Sequence, residues 1–199
     1  MLDAALRILI IDENAIRAAI LEDGLREAGY LNVSVIREMP NLIRQISALD
    51  PDVIFIDLEN PNRDVLEHMF QVSKSVQRPI AMFVDQSDTT TIERAVEAGV
   101  STYIVDGLRK DRVKPILDMT LSRFNAFNRL QRELEQTKRA LDDRKFVDRA
   151  KALLMSHRNI DEPSAYRMLR DTAMRQNQTI GDVARALLTA NTLLEGEGP

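Results

Sequence analysis

The first 110 residues alternate between short, β-rich apolar runs and stretches with helical spacing. Arg7 to Ile11 is one such run. Asn14 to Ala28 follows with helical spacing (Ile16, Ile20, Leu21, Leu25, Ala28) and stops at Gly29. The pattern then repeats. Strands are expected at Asn32–Ile36, Asp52–Ile56, Ile80–Val84 and Thr102–Val105. Helices are expected at Asn41–Leu49, Asp64–Val76 and Thr89–Ala98. Strands that alternate with helices imply βαβ units and a parallel sheet covered on both faces, and near-continuous apolar strands fit that burial. Five units in this length match a flavodoxin-like, doubly wound α/β arrangement.

The pattern changes at Asp111. Val113, Leu117, Leu121, Phe124, Phe127, Leu130, Leu134 and Leu141 recur mostly every three to four residues, and no Gly or Pro interrupts Ile116 to Asn159. One long helix is expected, with Pro115 tolerated near its start. Its apolar stripe would meet a partner helix in an imperfect coiled coil, the seam being interrupted by Asn128, Gln131 and Lys138, or would pack back on its own chain. Two further helices are expected. Asp161 caps one that carries Pro163 in its first turn, and Thr179 with Asp182 forms a capping box for the other. The tail from Leu194 to Pro199 reads as frayed.

Composition removes several classes of function. The chain has no cysteine, so disulfides, thiolate metal sites and cysteine nucleophiles are excluded, which suits a reducing compartment. The N-terminus reads as neither a signal peptide nor a membrane span, so a cytoplasmic location is expected. No phosphate-binding glycine loop, nucleophile elbow or metal-spaced histidine pair occurs, and catalysis is not expected. The net charge is −4, but its sign reverses along the chain: residues 1–110 hold 18 acids and 11 bases, residues 144–185 nine bases and five acids. An acidic regulatory half and a basic output half fit that split.

In open α/β sheets the binding site lies beyond the carboxyl ends of the strands. Asp12 and Glu13 follow the first strand there, and Asp57 the third. Clustered carboxylates stay ionised together only with a compensating cation or hydrogen bonds, and Mg²⁺ is a natural candidate. The segments Ile-Ile-Asp12-Glu13-Asn, Phe-Ile-Asp57-Leu and Ala-Gly99-Val-Ser-Thr-Tyr103-Ile-Val resemble the response-regulator receiver domain at matching intervals. The resemblance implies that Asp12, Glu13 and Asp57 hold the metal and that Asp57 accepts a phosphoryl group from a histidine kinase. Two positions depart from the family. Val84 stands where a Thr or Ser is usual, and Asp106 where a Lys is usual. An acid at Asp106 adds like charge beside a phosphoryl group and disfavours phosphorylation. A degenerate receiver controlled by a protein partner is therefore expected.

The stretches Val147 to Met155, Glu162 to Met174 and Gln178 to Ala184 resemble the ANTAR domain. They include an Ala150-Lys151-Ala-Leu153-Leu154-Met155 run and an Ala165-Tyr166-x-x-Leu169-Arg170-x-x-Ala173-Met174 core. The resemblance implies binding of paired short RNA hairpins. Arg149, Lys151, Arg158, Arg167, Arg170 and Arg175 could contact a phosphate backbone, and Tyr166 could stack on a base. The plainer alternatives are a solvated charged face for the bases and core packing for Tyr166, the commoner fate of a lone aromatic.

The expected organisation is a receiver-like domain at 1–124, a coiled-coil linker helix at 111–145 and an ANTAR domain at 146–199. This is the layout of the AmiR/NasT regulators, and several stretches look closer to the NasT branch. That resemblance implies antitermination at nitrate and nitrite assimilation genes, a homodimer through the long helix, and a nitrate-sensor protein that sequesters the regulator. The competing reading is a DNA-binding response regulator switched by phosphorylation of Asp57, with the last helices as a helix-turn-helix. A pure interaction adaptor is a third.

Overall fold

The computed structural model describes residues 5–59 and 61–195. Its contacts divide the chain into two units, residues 1–128 and 129–199, with the boundary inside one helix.

The first unit is a five-stranded sheet in the order β2-β1-β3-β4-β5, parallel throughout. The strands are β1 (Ile8–Ile11), β2 (Val33–Ile36), β3 (Val53–Leu58), β4 (Ile80–Val84) and β5 (Thr102–Val105). Between them run α1 (Ala15–Glu27), α2 (Leu42–Leu49), α3 (Arg63–Val76) and α4 (Thr89–Glu97). Successive strand residues point to opposite faces, so one strand feeds two cores. Leu9, Ile11, Ile54, Ile56, Met82 and Val84 join residues of α2, α3 and α4 on one side. Ile8, Ile10, Phe55 and Phe83 join α1 and Val113, Ile116 and Leu117 on the other. The Phe55 and Phe83 rings stack with centroids 5.9 Å apart. Both faces are covered, which explains why β1, β3 and β4 read as unbroken apolar runs.

Helix starts follow local side-chain chemistry. Asn14 accepts from the backbone N–H groups of Ile16 and Arg17, Asn62 from Val65, and Asp88 from Thr91. One boundary differs from the sequence expectation. Asp57 is the fifth residue of β3 rather than a residue beyond it, because pairing with β4 continues through Asp57–Phe83 and Leu58–Val84.

After a short 3₁₀ turn (Lys110–Arg112), α5 runs unbroken from Val113 to Arg158. In the second unit its C-terminal part packs with α6 (Glu162–Gln176) and α7 (Ile180–Glu195). Ala150, Leu169, Ala173, Val183 and Ala184 form the centre, ringed by Phe146, Val147, Leu154, Ile180, Leu187 and Leu188. The expected caps are present: Asp161 accepts from Ser164 N–H, and Thr179 Oγ1 accepts from Asp182 N–H while donating to its carboxylate. The expected fraying of the tail falls largely on residues 196–199, outside the described residues; the backbone of residues 194 and 195 still belongs to α7.

Gly24 is buried where α1 meets the start of α5. A Cβ there would lie 2.8 Å from Val113 Cγ2 and 3.0 Å from the Lys110 carbonyl oxygen. A Gly-to-Ala change inside a helix ordinarily stabilises by about 1 kcal/mol. Here the sign should reverse, with Gly24→Ala costing about 1–3 kcal/mol through overpacking, read by urea denaturation. An unchanged or raised midpoint would contradict this packing.

Candidate functional site

The register of β1 and β3 determines the first site. Ile11 pairs with Ile56, so Asp12 and Asp57 emerge side by side at the carboxyl end of the sheet. Asp12 is 3% exposed and Asp57 2%. They line a cleft of about 290 Å³ together with Glu13, Asn14, Met39, Glu59 and other residues of the β3–α3 connection. Its lining holds four acids and no base.

The compensating cation comes from the far side of Asp57. Arg17, in the first turn of α1, donates to both carboxylate oxygens of Asp57, Nε to Oδ2 at 2.8 Å and Nη2 to Oδ1 at 2.6 Å. Its remaining arm, Nη1, donates to Asp85 Oδ1 at 2.8 Å. A planar guanidinium matches a carboxylate in this two-bond fork, which a lysine cannot reproduce. The Arg17 side chain is 18% exposed and that of Asp57 fully buried, so the pair is shielded from screening solvent. The bond to Asp57 is the largest influence raising the arginine's already high pKa.

Asp12 has no such partner. One oxygen accepts from Asn14 N–H at 2.8 Å, and Oδ2 is buried without a hydrogen bond. Burial, opposed by the Asn14 bond and reinforced by the charge of Asp57, lifts its pKa from the ordinary 3.8 to about 6.

The structure therefore brings Asp12 and Asp57 together but leaves Glu13 exposed. Among the described residues no three acids or histidines are gathered as a metal cage. A divalent cation needs several oxygens free to face it. Each Asp57 oxygen already accepts a hydrogen bond from Arg17 and Glu13 is exposed, so this donor set fits Mg²⁺ poorly as it stands. Asp106, expected to be the decisive departure, is exposed with a left-handed backbone at the end of β5. Arg17, which sequence reasoning missed, is the charge that touches Asp57. Only its place in the turn after the Asn14 cap marked it.

The predicted nucleic-acid residues lie in the second unit. Arg149, Arg158, Arg167, Arg170 and Arg175 are exposed. Ala165, Leu169 and Ala173 form the buried stripe of α6, and Tyr166, Arg170 and Met174 form the exposed stripe beside it. Tyr166 is 43% exposed and Met174 75%. The expectation of core packing for Tyr166 is thus corrected: the small residues Ala165 and Ala173 turn inward and Tyr166 lies one position outside their face. Lys151 behaves differently from the arginines. Its ammonium lies 2.7 Å from both Asp148 Oδ1 and Glu162 Oε1, and its side chain is 16% exposed. It ties α5 to the start of α6 rather than standing free for a phosphate. Arg185, the sole base of α7, contacts Asp143 and Asp182 and lies over the Phe146 ring.

A response regulator receiver domain family model matches residues 8–118, and an ANTAR domain model matches residues 135–188. The chain belongs to the ANTAR response regulators. This regulator is 29% identical over 188 residues to the transcriptional regulatory protein PdtaR of Mycobacterium tuberculosis, covering 94% of this chain and 92% of PdtaR. It is 35% identical over 80 residues to a nitrate regulatory protein of Klebsiella oxytoca, covering 40% of this chain and 20% of that protein. Among solved structures, a pilus assembly-related protein from Burkholderia pseudomallei matches with a TM-score of 0.54 at 21% identity, covering 62% of this chain and 94% of that one. A CheY-like receiver domain protein from Methanospirillum hungatei matches with a TM-score of 0.51 at 17% identity, covering 61% and 98%. These two structures bear on the receiver fold alone. No helix among the described residues is long and apolar enough to cross a membrane.

The raised pKa of Asp12 has a signed consequence. Between pH 4 and 6 the native regulator keeps a proton that the unfolded chain has released, so Asp12's contribution to stability falls as pH rises through that window and stays low above it. Asp12→Asn cannot ionise. It should be more stable than wild type above pH 6, by about 2 kcal/mol, with the gain vanishing near pH 4 in urea denaturation. Equal stabilities at pH 7 would show that Asp12 is not held in a costly ionised state.

Proposed function

We propose that this response regulator is a cytoplasmic transcription antiterminator whose C-terminal module, residues 146–199, binds hairpin RNA in nascent leader transcripts. The observation that carries the reading is the exposed stripe on α6, where Tyr166 and Arg170 stand one turn apart with Arg167 adjacent. An aromatic ring and guanidinium planes presented together suit unpaired bases and their phosphates. The ANTAR match over residues 135–188 supports the same reading. Control of nitrate and nitrite assimilation genes, with a sequestering nitrate-sensor partner, is the favoured setting. The partial similarity to the Klebsiella oxytoca nitrate regulatory protein supports it.

The functional form is a homodimer joined along α5, within a linker at 111–145. Phe127, Leu130, Leu134 and Leu141 are exposed apolar residues spaced by three, four and seven, the repeat that a second copy of the same helix would cover. The DNA-binding alternative is weaker, because the single base of the last helix already contacts two acids and an aromatic ring.

Filter binding of the full chain to an RNA with two short stem-loops, and to duplex DNA of equal length, tests the proposal across a salt series. The RNA should be preferred, with affinity falling steeply as salt rises. Tyr166→Ala and Arg170→Ala should each weaken RNA binding by about 1–3 kcal/mol while leaving the melting temperature near wild type. Lys151→Ala should instead lower the melting temperature. Preference for the duplex, or full RNA affinity in both α6 variants, would contradict the assignment.

A further inference from the structure

The acid site of a receiver ordinarily depends on cations from two sources, a divalent metal and a lysine. In this chain the lysine position is Asp106, and the hydroxyl position at the end of β4 is the buried Val84. Asp57 nevertheless has a counter-ion, Arg17. We infer that Arg17 is a built-in counter-ion replacing both cations, and that while its bridge to Asp57 is intact the site rejects divalent metal ions and phosphoryl donors. This goes beyond the RNA-binding proposal and does not depend on it.

Three features of the geometry support the inference. The first is occupancy. To accept a phosphoryl group, one Asp57 oxygen must present a lone pair to phosphorus as the donor's leaving group departs with the bonding electrons. Each oxygen already spends a lone pair on an N–H group, at 2.8 and 2.6 Å, which lowers its nucleophilicity, and the carboxylate is fully shielded from water. A metal ion would likewise compete with the guanidinium for Asp57, with the unpaired Oδ2 of Asp12 and the exposed Glu13 as its other oxygens.

The second is anchoring. Arg17 extends from the first turn of a helix whose start is fixed by Asn14, and the Asn14 side chain accepts from the Arg17 backbone N–H itself. The Asn14 Nδ2 donates to Glu59 at 3.0 Å. The arginine is therefore presented by ordered backbone.

The third is reach. The same guanidinium holds Asp85, the first residue after β4. Two residues on, the Ser87 and Tyr103 hydroxyls lie 3.0 Å apart. One side chain thus links β3, α1 and the β4–α4 loop, and through that loop the half-buried Tyr103 of β5. The bridge ties this loop to α1 and β3.

The test uses the full chain and Mg²⁺ titrated calorimetrically. Wild type should bind Mg²⁺ weakly at most at the acid site, whereas folded Arg17→Ala should bind it at least about tenfold tighter. Adding Asp57→Asn to that variant should abolish the gain and so locate it. A second arm needs no variant. Wild type incubated with acetyl phosphate and Mg²⁺ should keep its intact mass, since transfer to an Asp57 oxygen with loss of acetate is blocked. Folding of each variant is checked by its melting curve, and Arg17→Gln serves where the alanine variant unfolds. Equal Mg²⁺ affinity in wild type and a folded Arg17 variant would overturn the inference. So would stoichiometric phosphorylation of wild type. RNA affinity, measured on the same samples, reports separately on the antiterminator reading.

Discussion

Two carboxylates buried in adjacent strands cannot both keep a full charge without a cation close by. That constraint governs the first unit. Parallel pairing of β1 with β3 puts Asp12 and Asp57 at the same height, and closure of both sheet faces removes them from water. The cost of desolvating an unpaired ion is several kcal/mol, so an isolated Asp57 carboxylate would destabilise the sheet's end. The two-bond fork from Arg17 offsets that cost for Asp57. Asp12 is left with a single backbone donor, and its carboxyl group moves toward the protonated form. The two acids thus differ in surroundings, because one arginine serves only Asp57.

The second unit sorts its cations by the same rule. Lys151 and Arg185 are held by pairs of acids and bind the three helices together. Tyr166, Arg167 and Arg170 project from α6 next to a core of small residues. Alanines at 165 and 173 let α6 lie close against its neighbours, which leaves the larger side chains one step around the helix at the surface. Gly181 has a related role. A Cβ there would lie 2.5 Å from Asp143, so its absence admits the start of α7 against α5. Close packing of small residues accompanies an outward-facing aromatic, Tyr166.

Backbone-level features were largely legible in the residues. Alternating runs gave the strands and helices because burial on both faces leaves an unbroken apolar signature, and the caps at Asp161 and Thr179 follow from short-range hydrogen bonding. Asp12 and Asp57 were likewise readable from their place at strand ends. The long cations were not. Arg17 spans from α1 to β3 and to Asp85 just after β4, 40 and 68 residues away, and no local pattern encodes such a partner. Lys151 looked like a free base because its acids lie three residues before it and eleven after, on another helix. Tyr166 misled for a different reason: being the lone aromatic of a small bundle suggests core, but its helical phase lies just outside the Ala165–Leu169–Ala173 stripe.

The account rests on Arg17 and Asp57 acting as one unit. A double-mutant cycle with Arg17→Ala, Asp57→Asn and the combined change, followed by urea denaturation at pH 7, measures that directly. A coupling energy above about 1 kcal/mol is predicted, since each single change leaves a desolvated group without its partner. Additive effects, with a coupling near zero, would mean that the bridge does not organise the acid site and would contradict the account.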